Sequence, residues 1–168
     1  MNHRSGTDET RIVELTPQPT VAVRLRQPMS DLDLGKLFDL HLPNVAHRIA
    51  DLGGEAVGAP YGRYHEWGPT DVDVEIGIPV RAPVANLRPV EEAEPGEAAA
   101  SELPGGRAAV TVHRGTYDGL PQTYDRLRSW IGQQGQQPGG APWESYVDDP
   151  SEVEDPGQLR TEVVMPLA

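Results

Sequence analysis

The chain has no cysteine. It can form no disulfide, and no thiolate is available as metal ligand or nucleophile. Positive charge is scarce. Fourteen basic residues, all arginine except Lys36, stand against twenty-six acidic ones, for a formal net charge of −12. Binding to nucleic acid or to an anionic membrane surface needs a basic face, so neither is expected as a direct partner. Cationic small molecules and other proteins stay open as partners. No apolar run approaches the roughly 18 residues of a membrane span. The N-terminus shows no apolar leader core, which sets the expectation of a cytoplasmic protein. Several chemistries lack their signature. Leu103-Pro104-Gly105-Gly106 is not followed by the Lys-Ser/Thr of a phosphate loop. No nucleophile elbow is present. His41, His47, His65 and His113 have no metal-ligand spacing, so neither a metal nor another cofactor is expected.

What is present is best read in chain order. Residues 1–11 are polar and unpatterned and are expected to form a disordered tail. Val21 to Arg26 alternates as a strand does. Ser30, with Asp33 three residues on, suggests a capping box. Leu34, Leu37, Phe38, His41, Val45, Ile49 and Leu52 then recur at helical spacing. Pro43 should kink or split that helix, and Gly53-Gly54 should end it. Tyr61 to Trp67 and Val72 to Val80 read as two strands joined at Gly68-Pro69-Thr70. Residues 82–105 are acidic and rich in Pro and Gly, as a connector would be. Arg107 to His113 forms the next strand. A helix follows from an Asp118 cap through Leu120, Tyr124, Leu127 and Ile131, ending at Gly132 or Gly135. Trp143 to Val147 and Gln158 to Leu167 are the last strands, on either side of the acidic loop from Asp148 to Gly157.

The order strand-helix-strand-strand therefore occurs twice, and residue matches support the repeat. Gly58-Ala59-Pro60-Tyr61-Gly62-Arg63-Tyr64 parallels Gly140-Ala141-Pro142-Trp143-Glu144-Ser145-Tyr146. Val74-Glu75-Ile76 parallels Thr161-Glu162-Val163 in the same order. The expected fold is α+β: tandem duplicated βαββ units about a pseudo-twofold axis. Antiparallel sheet would carry helices on one side, with a ligand groove between the repeats. The first repeat covers about residues 12–81 and the second about 106–167, in a single domain over 12–168.

Aromatics are only 5% of the chain, and Tyr61, Tyr64, Trp143 and Tyr146 fall within these matched stretches. Alternation puts Glu144 and Tyr146 on one face of a strand and Trp143 on the other. A carboxylate facing a core is costly unless something binds it. Glu144 is therefore the first candidate site residue, with Tyr146, Tyr117 and Tyr64 as rings able to stack on a flat or cationic ligand. Trp67, at a strand end, is placed to rim the groove, whereas packing under a helix is the plainer reading of Trp143. Glu75 and Glu162 are equivalent by repeat. If Glu162 converged on Glu144, their like charges would push one carboxyl up. The alternative for both is a solvated outer face.

These residues resemble the GyrI-like small-molecule-binding family. The likeness covers nearly all of Ile12 to Leu167. It is carried by Gly106-Arg107, Ala109, His113, Gly115 and Tyr117, and most specifically by Trp143-Glu144, Tyr146, Asp149-Pro150, Arg160-Thr161-Glu162 and Pro166-Leu167. The family includes effector domains of multidrug-responsive transcription activators, and stand-alone proteins. The acidic chain, with no helix-turn-helix, resembles the stand-alone type. The resemblance implies an aromatic pocket around a glutamate at Glu144 for bulky aromatic, often cationic compounds. The site residues implied are Glu144, Tyr146, Tyr117, Glu162, Tyr64, Trp67 and Trp143. It also implies an alternative, hydrolytic opening of the cyclopropane of DNA-alkylating natural products, with Glu144 orienting water and Tyr117 or Tyr146 polarising the departing group. A weaker alternative is an acidic regulator of a basic protein partner. Monomer and homodimer are both compatible with the sequence. Val164 stands where multidrug-responsive members often carry an aromatic, and Gly62 leaves the first repeat without a central carboxylate.

Overall fold

A computed structural model describes residues 10–168. The expected tail lies almost wholly outside those residues. The chain divides into two compact units: Thr16–Gly105, and Gly106–Ala168 together with the segment that ends at Leu15. Each is an antiparallel four-stranded sheet with one long helix, so the class is α+β.

The first unit contains β2 (Gln18–Pro28), α1 (Leu34–Asp51), β3 (Tyr61–Trp67), β4 (Asp71–Pro79) and β5 (Ala99–Leu103), after β1 (Arg11–Leu15), which belongs to the second unit. Its strands lie in the order β3-β4-β2-β5. The helix cap is Asp33, whose side chain accepts from the Lys36 N–H at 3.1 Å. Ser30 sits one step earlier, in a 3-10 turn over Met29–Asp31, and takes no part in the cap. Against expectation α1 runs unbroken through Pro43. Pro43 and Asp39 both face solvent, so the Asp39 carbonyl that loses its intrahelical donor is free to be solvated. Leu37, Val45 and Ile49 lie buried on either side of Pro43. They pack with Val21, Val23 and Leu25 of β2 and Val74 and Ile76 of β4 in one core. Full burial of each such aliphatic side chain contributes roughly 1.5–3 kcal/mol, which outweighs one lost hydrogen bond. Leu52 closes the helix, and Gly53 follows at φ 74.

The second unit adds β6 (Gly106–Arg114), α2 (Leu120–Gln133), β7 (Trp143–Tyr146) and β8 (Arg160–Pro166). Its strand order is β1-β6-β8-β7. The cap of α2 is Gly119, not Asp118. Asp118 lies inside a 3-10 turn over Tyr117–Gly119, where it accepts a short hydrogen bond from the Thr116 hydroxyl and is diverted from capping. Pro121 falls in the first turn, where its missing N–H costs nothing. The Gly135 end is the one observed, at φ 70 after the Gln134 cap. Leu120, Leu127 and Ile131 pack on Ala109, Val163 and Met165.

Two strands are absent from the sequence reading. β5 lies inside the expected connector, and β1 lies at the edge of the expected tail. Each is an edge strand, and each joins a strand distant in the chain: β5 pairs with β2, and β1 with β6. Register agrees with the residue matches. Gly62 lies opposite Ile76, and Glu144 opposite Val163.

Candidate functional site

Glu144 is one of the few buried charged residues, 4% exposed in the second position of β7. Its cross-strand partner Val163 packs under α2, so Glu144 points to the helix-covered face of its sheet. The helix supplies one of its ligands: the Tyr124 hydroxyl donates to Oε2 at 2.8 Å. The strand supplies another, with the Tyr146 hydroxyl donating to Oε1 at 2.9 Å. Tyr124 sits one helical turn before Arg128, whose guanidinium lies over its ring at 5.4 Å. Tyr117, 39% exposed in the turn before α2, meets the Tyr146 ring edge-on at 5.7 Å between centroids and 69° between planes. Burial pushes the Tyr117 phenol up, and the charges of Asp149, Glu144 and Asp148 add to that.

Two more polar groups share this face. Tyr146, Thr161 and His113 stand opposite one another across β7, β8 and β6. His113 is tied to the helix and its entry turn, with Nδ1 2.7 Å from the Thr123 hydroxyl and Nε2 2.7 Å from the Thr116 carbonyl. The carbonyl can only accept, so Nε2 donates and Nδ1 accepts from Thr123. His113 thereby fastens the turn that carries Tyr117. Thr161 is fully buried, and its hydroxyl has no hydrogen-bond partner among the described residues.

Of the expected site residues, the structure groups Glu144, Tyr146 and Tyr117. Trp143 is buried opposite Val164, on the other face of β7. Glu162 lies opposite Ser145. That sets it on the face away from Glu144, so the two carboxylates do not converge. Strand alternation, applied from β7 across to β8, is the reason: Val163 is the partner of Glu144 and its neighbour must point the other way. Tyr64 and Trp67 belong to the first unit. Tyr64 is buried in the α1 core, and Trp67, 57% exposed, leans edge-on against it at 5.4 Å. The sequence sets Tyr124 only on the helical face of α2. Its phenol could have been singled out, because a Tyr on a buried stripe requires a partner for its hydroxyl.

Glu75, left open as a solvated strand glutamate, is 1% exposed. It sits on β4 between Val74 and Ile76 of the α1 core, so it faces away from α1. Oε2 accepts from Tyr61 at 2.5 Å and from Ser101 at 2.8 Å, and Oε1 lies 2.9 Å from His65 Nε2. Burial would raise this carboxyl. Hydrogen bonds from His65, Tyr61 and Ser101 outweigh it and hold Glu75 below the ordinary range. Gly77 makes room for the arrangement. A Cβ there would stand 2.8 Å from the Tyr61 hydroxyl and 2.7 Å from the Val21 carbonyl.

Among the described residues no group of three or more His, Asp or Glu could hold a metal ion. No helix is long and apolar enough to cross a membrane.

None of the curated proteins matched the chain. Among solved structures, the EcmrR C-terminal domain is 22% identical with a TM-score of 0.75, covering 95% of this chain and 96% of that one. In the EcmrR–DNA complex the likeness is 21% identity and TM-score 0.73 over 94% of this chain, which spans only 56% of the longer EcmrR chain. SAV2435 bound to tetraphenylphosphonium shares 13% identity at TM-score 0.65, covering 95% of this chain and 94% of that one. A protein described as a hydrolase from Listeria innocua shares 14% at TM-score 0.66, covering 95% and 92%. At these identities the likeness is one of fold. The profile of the GyrI-like small molecule binding domain matches residues 8–168, and the chain belongs to that family.

Proposed function

We propose that this protein binds bulky aromatic, cationic compounds through the Glu144 cluster. One observation carries the reading: a carboxylate 4% exposed, held between two tyrosine hydroxyls and backed by a third tyrosine that is partly open to solvent. A carboxylate removed from water attracts a cation far more strongly than one at the surface. The tyrosine rings add stacking area and cation–π attraction. Tyr117 and Tyr146 form the wall on which a flat ring would stack. Thr161, beside Tyr146, adds a buried hydroxyl with no hydrogen-bond partner among the described residues. The net charge of −12 favours approach of a cation. SAV2435, of the same fold, was solved with tetraphenylphosphonium, which makes that compound a fitting first probe. Titration followed by tryptophan fluorescence or calorimetry should saturate at one molecule per chain, and Tyr146→Ala should weaken it about tenfold.

A second reading uses the same atoms for hydrolysis. Glu144 would orient a water molecule onto an electrophilic ring carbon, and Tyr117 or Tyr146 would protonate the departing group. Two hydroxyls converging on one carboxylate favour it, as does the fold shared with proteins described as hydrolases. Incubation with a cyclopropane-containing alkylator separates the readings. Gain of one water by mass supports hydrolysis, and unchanged but bound compound supports binding alone.

A further inference from the structure

A dense set of charges outside the Glu144 cluster lies on the face of the first unit's sheet that looks away from α1. β2 places Arg24 and Arg26 there, β3 places Arg63 and Glu66, and β4 places Asp73 and Glu75. Most of these groups pair with one another. Arg24 holds Asp73 with two hydrogen bonds of 3.0 Å, and Arg26 reaches Glu66 at 2.9 Å. His65 is arranged differently. The register of β3 shifts between Tyr64 and Glu66, so His65 is the extra residue of a β-bulge. Bulges re-aim side chains, and here the ring is aimed at Glu75, with Nε2 2.9 Å from Oε1.

The bond fixes the tautomer. An ionised carboxylate only accepts, so Nε2 carries the proton and the lone pair of the neutral ring sits on Nδ1. That nitrogen has no hydrogen-bond partner among the described residues, and the side chain keeps 20% of its surface exposed. Glu75 cannot turn away, because Tyr61 and Ser101 hold its second oxygen. Arg63, the direct cross-strand partner of Glu75, brings a guanidinium to the same face. A buried carboxylate orienting an imidazole whose other nitrogen is free is the arrangement that makes histidine a nucleophile or base.

We propose that His65 is a nucleophilic centre for activated acyl compounds such as aryl esters, with Glu75 as its positioning residue. Nδ1 attacks the acyl carbon, the N–C bond forms, and the bond between the acyl carbon and the aryloxy oxygen breaks with its electron pair leaving on that oxygen. The Nε2 proton is shared with Glu75 while the ring carries the acyl group. Water then adds to the acyl carbon, the N–C bond breaks and returns its pair to Nδ1, and the proton that water gives up goes to the departed aryloxide. The sum is ester plus water giving acid plus phenol.

The full chain with p-nitrophenyl acetate tests this. Acetyl should appear transiently on the His65 peptide by mass spectrometry. His65→Gln, with its folding checked by circular dichroism, should lower the protein-dependent release of nitrophenol about tenfold. His47→Gln, at an exposed histidine of α1, should leave the rate unchanged. The orienting role is read separately: nitrogen-15 NMR should show His65 as one tautomer in the native chain and as a mixture in Glu75→Gln. Acetyl found on Lys36 or the N-terminal amine instead of His65 would overturn the proposal. An equal loss of rate in His47→Gln and His65→Gln would do the same, as would a single unchanged tautomer in folded Glu75→Gln.

Discussion

The two units run through the same order of strand, helix, strand and strand, yet they bury a glutamate on opposite faces of their sheets. Glu75 looks away from α1, and Glu144 looks toward α2. Their surroundings differ in kind. Glu75 accepts from a tyrosine, a serine and a histidine, all held by strands. Glu144 accepts from one strand tyrosine and one helix tyrosine, with a partly open third ring beside them. The first arrangement resembles a locked joint, since every donor comes from the sheet. The second borrows a donor from a helix, an element that can shift against the sheet. Position matters as well as residue type. The residue matches in the sequence pair Glu75 with Glu162 and Glu144 with Gly62. Neither unit carries a buried glutamate where the other does.

If this contrast is correct, substitution should treat the two glutamates differently. Glu75→Gln should cost about 2 kcal/mol of unfolding free energy at neutral pH, because hydrogen bonds to a buried charge are worth more than neutral ones. Glu144→Gln should cost less than half as much. Urea unfolding of the two variants against the native chain measures both, and equal losses would dissolve the distinction. Gly77→Ala attacks the same joint from the side. Its methyl would push on the Tyr61 hydroxyl and the β2 backbone, with an expected loss of about 1–3 kcal/mol.

Acid should expose the same difference. The Glu75 carboxyl is depressed in the folded state, so its contribution is full above the unfolded value of about 4.3. It is lost as pH falls through the depressed folded value. Melting temperatures between neutral pH and about pH 3 should therefore fall more steeply in the native chain than in Glu75→Gln, whose neutral amide cannot titrate.

The helices offer a smaller contrast. Asp33→Ala should remove about 1 kcal/mol, because its side chain caps α1. Asp118→Ala should change less, because Gly119 caps α2. Thr161→Val should be neutral or stabilise by up to about 1 kcal/mol, since it deletes a buried hydroxyl with no hydrogen-bond partner among the described residues.

Much of the scaffold could be read from local pattern. Leu37, Val45 and Ile49 mark the buried stripe of α1, Gly53 and Gly135 mark the helix ends, and the Gly-Ala-Pro stretches lead into β3 and β7. Local pattern failed where distant partners decide. Ala99-Ala100-Ser101-Glu102-Leu103 has no strong strand character and becomes β5 only because β2 offers it an edge. The helix cap was misplaced twice, once to Ser30 and once to Asp118, because both residue types also favour turns. In the site, alternation placed Glu144 with Tyr146, since that needs only one strand. Glu162 required the register between β7 and β8, which no single stretch encodes. The burial of Glu75 required donors from β3 and β5, up to 26 residues away in the chain.

The account stands most directly on Glu144 as the counter-charge of a bound cation. Tetraphenylphosphonium should be titrated into the native chain and into Glu144→Gln, with folding of the variant checked by circular dichroism. Loss of the charge should weaken binding about ten- to a hundredfold, or roughly 1.4–2.7 kcal/mol, while the variant stays folded. Equal affinity in a folded Glu144→Gln, or no saturable binding by the native chain, would contradict it.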